Sequence, residues 1–220
     1  MRNLILSVCL FFTAYAQAAN WVEGQHYFVI KPAQPTNVAP GKVEVVEVFS
    51  YGCPACFQYY PTADKLKASL PKNAEMSYLP ASWNPGEAWP LFQRAYFTAQ
   101  VMGIADKTHS AMFNAIWAGD ELAVIDARTN RSKNPLPTIE KAAAFYARVA
   151  GVKADDFVKM AKSFSVEVKM KGADTTIQAY HADSTPTLVV NGKYRLNPTS
   201  AGGAEQTIEL VKFLVAKETK

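Results

Sequence analysis

The stretch Val43-Glu-Val-Val-Glu-Val-Phe49, Ser50-Tyr51-Gly52, Cys53-Pro54-Ala55-Cys56 decides how this chain folds. Residues 43–49 are almost continuously β-branched and apolar, the composition of a central strand covered on both faces. Ser50-Tyr51-Gly52 makes a tight connection, and from Cys53 the pattern predicts a helix to about Leu70, closed by Pro71-Lys72-Asn73. Glu75-Met-Ser-Tyr-Leu79 reads as the next strand. Strand, helix and strand in that order make a parallel βαβ unit.

The same stretch carries chemistry. A C-x-x-C placed where a buried strand turns into a helix puts sulfur against free backbone N–H groups and the positive end of the helix dipole, both of which favour a thiolate. Cys53 is expected near the cap and exposed, and Cys56, one turn in, shielded. Pro54 suits the first helical turn, where its missing N–H costs nothing. A thiolate of lowered pKa makes Cys53 the nucleophile and the better leaving group, and Cys56 the residue that resolves a mixed disulfide. Glu47 shares a strand face with Val43, Val45 and Phe49. A carboxyl buried there has a raised pKa and can exchange a proton with Cys56. Three plainer assignments stand beside these. The cysteines could form a structural disulfide, although so short a loop gains little stability. They could be half of a zinc site, although His26, His109 and His181 are isolated. Glu44 and Glu47 could be ordinary charges on a partly solvated strand.

Outward from this segment, Met1-Arg2-Asn3 precedes an apolar run from Leu4 to Tyr15 and the small-x-small triplet Ala16-Gln17-Ala18, the arrangement of a secretory signal over residues 1–19. The run is short of the ~20 residues that span a bilayer. Of the 3 cysteines in the 220 residues, Cys9 falls in this leader, so in an oxidising compartment Cys53 and Cys56 have only each other. With 49% apolar, 12% aromatic and 19% charged residues the chain can bury a full core and is not disordered. A net charge of +4 spread along the chain gives no footing for a nucleic-acid partner.

His26 to Ile30 reads as a first strand before a Pro-rich link. Between Ser82 and Tyr180 the apolar spacing is helical, with no convincing strand. Helices are expected around Trp89–Ala99, Met112–Trp117, Ile139–Tyr146, Asp155–Phe164 and Val166–Tyr180, their aromatic residues in the core. Thr187–Val190, the turn Asn191-Gly192 and Lys193–Leu196 form a hairpin, and Gly203–Lys217 an amphipathic helix. Thr185-Pro186 opens the first hairpin strand. X-Pro is the bond type that can be cis, a proline there is allowed at a sheet edge, and a cis bond would leave Thr185 free to pair with an extended substrate. The expected fold is α/β: a sheet domain from residues 20–81 and 181–220, split by a helical insertion over 82–180.

Glu23-Gly-Gln-His-Tyr27, Val46-Glu-Val-Phe-Ser50 leading to Cys53, Thr185-Pro186 and Val190-Asn-Gly-Lys-Tyr-Arg-Leu-Asn-Pro198 together resemble the thioredoxin superfamily, and within it the DsbA family of periplasmic thiol:disulfide oxidoreductases. The resemblance implies a thioredoxin-like fold with an inserted helical domain, a cis Pro186 and Glu47 as the buried acid. It implies a monomeric enzyme that gives its Cys53–Cys56 disulfide to newly exported, unfolded cysteine-containing proteins. A DsbB-like quinone-linked membrane partner would reoxidise it. No metal or separate cofactor is implied, the redox group being the disulfide itself. An isomerase or reductase of the same fold, or a redox-inert periplasmic binding or chaperone module, are the alternatives. Three residues depart from the family pattern. Ala55 stands where a histidine is usual, which implies a weaker oxidant. Tyr78 takes the place of a lysine near the buried acid, which implies a still higher Glu47 pKa. Pro61 is expected to bend the active-site helix.

Overall fold

A computed structural model describes residues 20–219. The secretory signal expected over residues 1–19 lies outside them. The described chain begins with the short strand β1 (Phe28–Val29), followed by β2 (Val43–Phe49), α1 (Pro54–Ser69) and β3 (Ala74–Pro80). Every residue of β2 is buried, as its unbroken Val-rich sequence requires. β2 and β3 run parallel in the register Val43↔Ala74 to Phe49↔Pro80, with α1 as the crossover.

Five helices come next: α2 (Trp89–Val101), α3 (Ala105–Trp117), α4 (Ile139–Ala150), α5 (Ala154–Ala161) and α6 (Phe164–Ala179). Thr138 caps α4 through its hydroxyl and Gly151 closes it at φ 74°. Ser163 caps α6, which is why the apolar pattern around Phe164 belongs to the start of α6 and not to the end of α5. One expectation fails between α3 and α4. A hairpin of β4 (Ile125–Asp126) and β5 (Arg131–Ser132) interrupts the helical segment. Its strands are two residues long and β5 is exposed, so neither shows an alternating pattern.

The chain returns to the sheet with β6 (Thr187–Val190) and β7 (Tyr194–Leu196), then α7 (Pro198–Ala201) and α8 (Ala204–Glu218). α7 is a single turn, closed by a reciprocal cap between Asn197 and Ser200, and too short for a periodic signal. In the β6–β7 turn Asn191 and Gly192 have φ of 53° and 62°. A side chain at Gly192 would also strike the Gln34 backbone, so this turn needs glycine twice over. The sheet order is β1-β7-β6-β2-β3. β6 therefore lies inside the sheet and not at an edge, where a proline is most readily allowed. Pro186 is tolerated because it precedes the first paired residue, Thr187, and owes no ladder hydrogen bond.

Two apolar cores result. One, between the sheet and the α1–α8 layer, contains Val43, Val45, Tyr59, Leu66, Leu188 and Leu214. The other lies among the inserted helices and reaches the sheet through Val46, Val48 and Phe49, around Phe92, Tyr96, Phe113 and Tyr146. Pro61 sits inside α1, which continues through it.

Candidate active site

The turn from β2 into α1 is held from several directions. The Cys53 N–H donates to the Ser50 carbonyl at 3.1 Å. The Gly52 N–H donates to Ser50 Oγ at 3.1 Å, and Trp117 Nε1 donates to the Tyr51 carbonyl at 2.7 Å. Gly52 faces the indole of Trp89 so closely that a Cβ there would stand 2.8 Å from the ring. α2 and α3, from the helical segment, thus clamp a loop that the sheet supplies.

Cys53 is the N-cap of α1. Its Sγ accepts from the Cys56 N–H at 3.4 Å, with Pro54 in the first turn. The residue is 7% exposed and Cys56 0%, so the expectation of an exposed Cys53 is corrected. The cover includes the Thr185-Pro186 segment, whose peptide bond is cis and whose Thr185 carbonyl lies 3.5 Å from Cys53 Sγ.

With both cysteines as free thiols, their acidities are pushed apart. A hydrogen bond from the Cys56 thiol is the largest influence holding the Cys53 pKa down at about 6. Burial opposes it, while the Thr185 hydroxyl and the N–H groups of Cys56 and Ala55 assist. The Thr185 carbonyl can accept only from the protonated thiol and so works against ionisation. Burial pushes Cys56 well up, and the nearby Cys53 and Glu47 add to the shift. Glu47 is 1% exposed, and burial, with the charges of Asp64 and Cys53, raises its pKa from 4.5 to about 8. It is a neutral acid at pH 7. Glu44 is also buried, accepting from the Asn37 N–H and Ser77 Oγ, so neither carboxyl lies on a solvated strand.

Glu47 pairs in register with Leu188 of β6 on one side and Tyr78 of β3 on the other. Tyr78 brings no cation to the acid. The Lys67 ammonium instead lies 5.3 Å from the Tyr78 ring centroid. The structure therefore gathers Cys53, Pro54, Ala55, Cys56, Glu47, Thr185 and Pro186 around one helix end. Among the described residues no group of three or more His, Cys, Asp or Glu is placed to hold a metal.

Four residues of this neighbourhood escape a reading of the sequence. Trp89 and Trp117 look like any aromatic on an apolar stripe until their contacts with Gly52 and Tyr51 are seen. His109, seemingly an isolated histidine, stacks on Tyr78 at 4.2 Å and lies 2.9 Å from the Tyr51 hydroxyl. Burial lowers its pKa to about 3, so it stays neutral. Tyr59 is buried on the inner face of α1. Beside the loop, a cavity of about 320 Å³ is lined by Ala55, Tyr59, Thr62, Thr185, Pro186 and Pro198 among others.

No protein-family model matches the chain. It is 35% identical to the thiol:disulfide interchange protein DsbA of Pseudomonas syringae pv. tomato, over 99% of this chain and 96% of that one. It is likewise 35% identical to the DsbA of Pseudomonas aeruginosa, over 99% and 97%. The crystal structure of Pseudomonas aeruginosa DsbA matches with a TM-score of 0.75 at 34% identity, covering 91% of this chain and 96% of the other.

Proposed function

This chain belongs to the DsbA family and is a thiol:disulfide oxidoreductase of thioredoxin-like fold with a helical insertion, and from that premise we propose that it works as a disulfide donor to newly exported proteins in the periplasm. The observation that carries this reading is the divergence of the two thiols: Cys53 held low at the cap of α1, Cys56 held high beneath it. A client thiolate attacks Cys53 Sγ, the Cys53–Cys56 bond breaks, and the electron pair leaves on Cys56. Neutral Glu47 supplies the proton that Cys56 needs. A second client thiolate then attacks the client sulfur of the mixed disulfide and releases Cys53, whose low pKa makes it a good leaving group. The client gains a disulfide, and the enzyme is left with two reduced cysteines.

In this scheme Pro54 and Ala55 shape the loop, and the Thr185-Pro186 backbone aligns the client chain. Residues 20–81 with 181–220 carry the chemistry, and 82–180 brace it. The redox group is the cysteine pair alone. The protein acts as a monomer, and a DsbB-like quinone-linked membrane protein returns the electrons to the respiratory chain. The leader-like composition of residues 1–19 supports export.

The test is oxidation of a reduced dithiol peptide by the oxidised protein. Rapid transfer is expected from the native chain and none from Cys53→Ser, while Cys56→Ser, whose lone Cys53 thiolate can attack a disulfide but cannot donate one, should form a mixed disulfide only when given the oxidised peptide, releasing one peptide thiol. Insulin reduction without peptide oxidation would move the reading to a reductase or isomerase, and full activity of Cys53→Ser in cells to a redox-inert module.

A further inference from the structure

Burial leaves Glu47 with a transport problem. Each transfer to Cys56 takes its proton, and the carboxylate must then be recharged from water it does not touch. Oε2 of Glu47 and the hydroxyl of Tyr59 are both buried without a hydrogen-bond partner among the described residues. The inner stripe of α1 runs Cys56, Tyr59, Ala63, Leu66 and packs on the sheet face that also carries Val45 and Leu188. Glu47 follows Val45 by alternation and pairs with Leu188, so its side chain points to that same face. Tyr59 stands one turn beyond Cys56 and also lines the cavity beside Ala55 and Pro186. Its ring thus lies between that cavity and the sheet. The Glu47 charge is felt at the Tyr59 hydroxyl, where it adds to burial in raising the pKa, so the phenol never ionises near neutral pH.

We infer that the Tyr59 hydroxyl is the proton relay of this enzyme: not hydrogen-bonded to Glu47 while the acid is neutral, it passes its hydrogen to the carboxylate once ionisation draws the two side chains together, while taking another from water in the cavity beside Pro186. No bond other than O–H is made or broken, and the net change is one proton moved from solvent to Glu47. Tyr59 acts through Glu47 and does not touch the sulfurs' chemistry directly. Of the other titratable groups facing Glu47, Cys53 and Cys56 are the reacting pair and Asp64 is a like charge, while Tyr78 and Tyr96 line a separate cavity of about 310 Å³ between β3 and α2 and not the one beside Pro186. The inference rests on the disulfide-donor reading.

The experiment compares the native chain with Tyr59→Phe, which keeps the ring and removes only an unpaired hydroxyl. Single-turnover oxidation of a dithiol peptide is followed from pH 5 to 9 at low buffer concentration, and again with added imidazole buffer small enough to enter the cavity. Tyr59→Phe is expected to slow turnover about tenfold, short of the ~10²-fold typical of losing a general acid outright. Added imidazole should restore the rate, and the glutathione equilibrium should be unchanged. A Tyr59→Phe rate equal to the native one at every pH overturns the relay. So does a loss that imidazole fails to rescue together with a shifted glutathione equilibrium, since that is a packing effect. A native protein that oxidises no peptide at all removes the donor reading itself, and the relay with it.

Discussion

Replacing Glu47 by Gln should make the stability of the reduced protein respond differently to pH. In the folded chain the Glu47 carboxyl holds its proton to about pH 8, against 4.5 ordinarily. Below pH 4.5 both folded and unfolded chains carry the proton and Glu47 imposes no penalty. Between 4.5 and 8 the unfolded chain ionises and the folded one does not, so stability falls as pH rises. Above 8 both are ionised and the loss levels off. At about 1.4 kcal/mol per pH unit, the full penalty from 4.5 to about 8 is roughly 5 kcal/mol, of which roughly 3 is already present at pH 7. Because the residue is 1% exposed, solvent screening does not dilute this figure. Gln cannot ionise, and whatever its buried amide costs is independent of pH. Urea unfolding of reduced native protein and Glu47→Gln from pH 4 to 9 separates the two. The variant should gain on the native chain by roughly 3 kcal/mol between pH 4 and 7, whatever their offset at pH 4. A difference that stays flat across this range would refute the buried neutral acid and the proton source it provides for Cys56.

Ultraviolet titration of the reduced protein should place the Cys53 thiolate midpoint near 6, and Ala55→His should move it lower by adding a cation beside the sulfur. Each pH unit by which the midpoint falls should raise the oxidising power in a glutathione equilibrium by up to tenfold, and a variant indistinguishable from the native chain would contradict the role given to Ala55. Gly52→Ala should cost about 1–3 kcal/mol, because the new methyl group would stand 2.8 Å from the Trp89 ring and the clamp must open to admit it. Urea unfolding measures the cost. Unchanged stability, together with unchanged tryptophan fluorescence, would show that the loop is not held as described.

Much of this molecule is written in local chemistry that a sequence displays. The Val-rich run 43–49 had to be a fully covered strand, the Cys53-Pro54 start had to open a helix, and Asn191-Gly192 had to turn a hairpin, because each depends on neighbours along the chain. The grouping of Glu47 with the cysteines was equally legible, since alternation fixes the face on which a strand residue points. Short elements were not. The β4–β5 hairpin and α7 are held by caps and contacts with no period to read, and the inner place of β6 depends on strand order, which no local pattern encodes. Nor could Trp117, Trp89, His109 and Tyr59 be told apart from other core residues. Their surroundings come from partners distant in sequence, such as Trp117 with Tyr51 or His109 with Tyr51. The chain alone thus determined the fold and which residues meet at the start of α1. Three-dimensional packing decided how strongly each holds its proton, because desolvation and hydrogen bonding belong to the assembled surroundings of a group and not to its place in the chain.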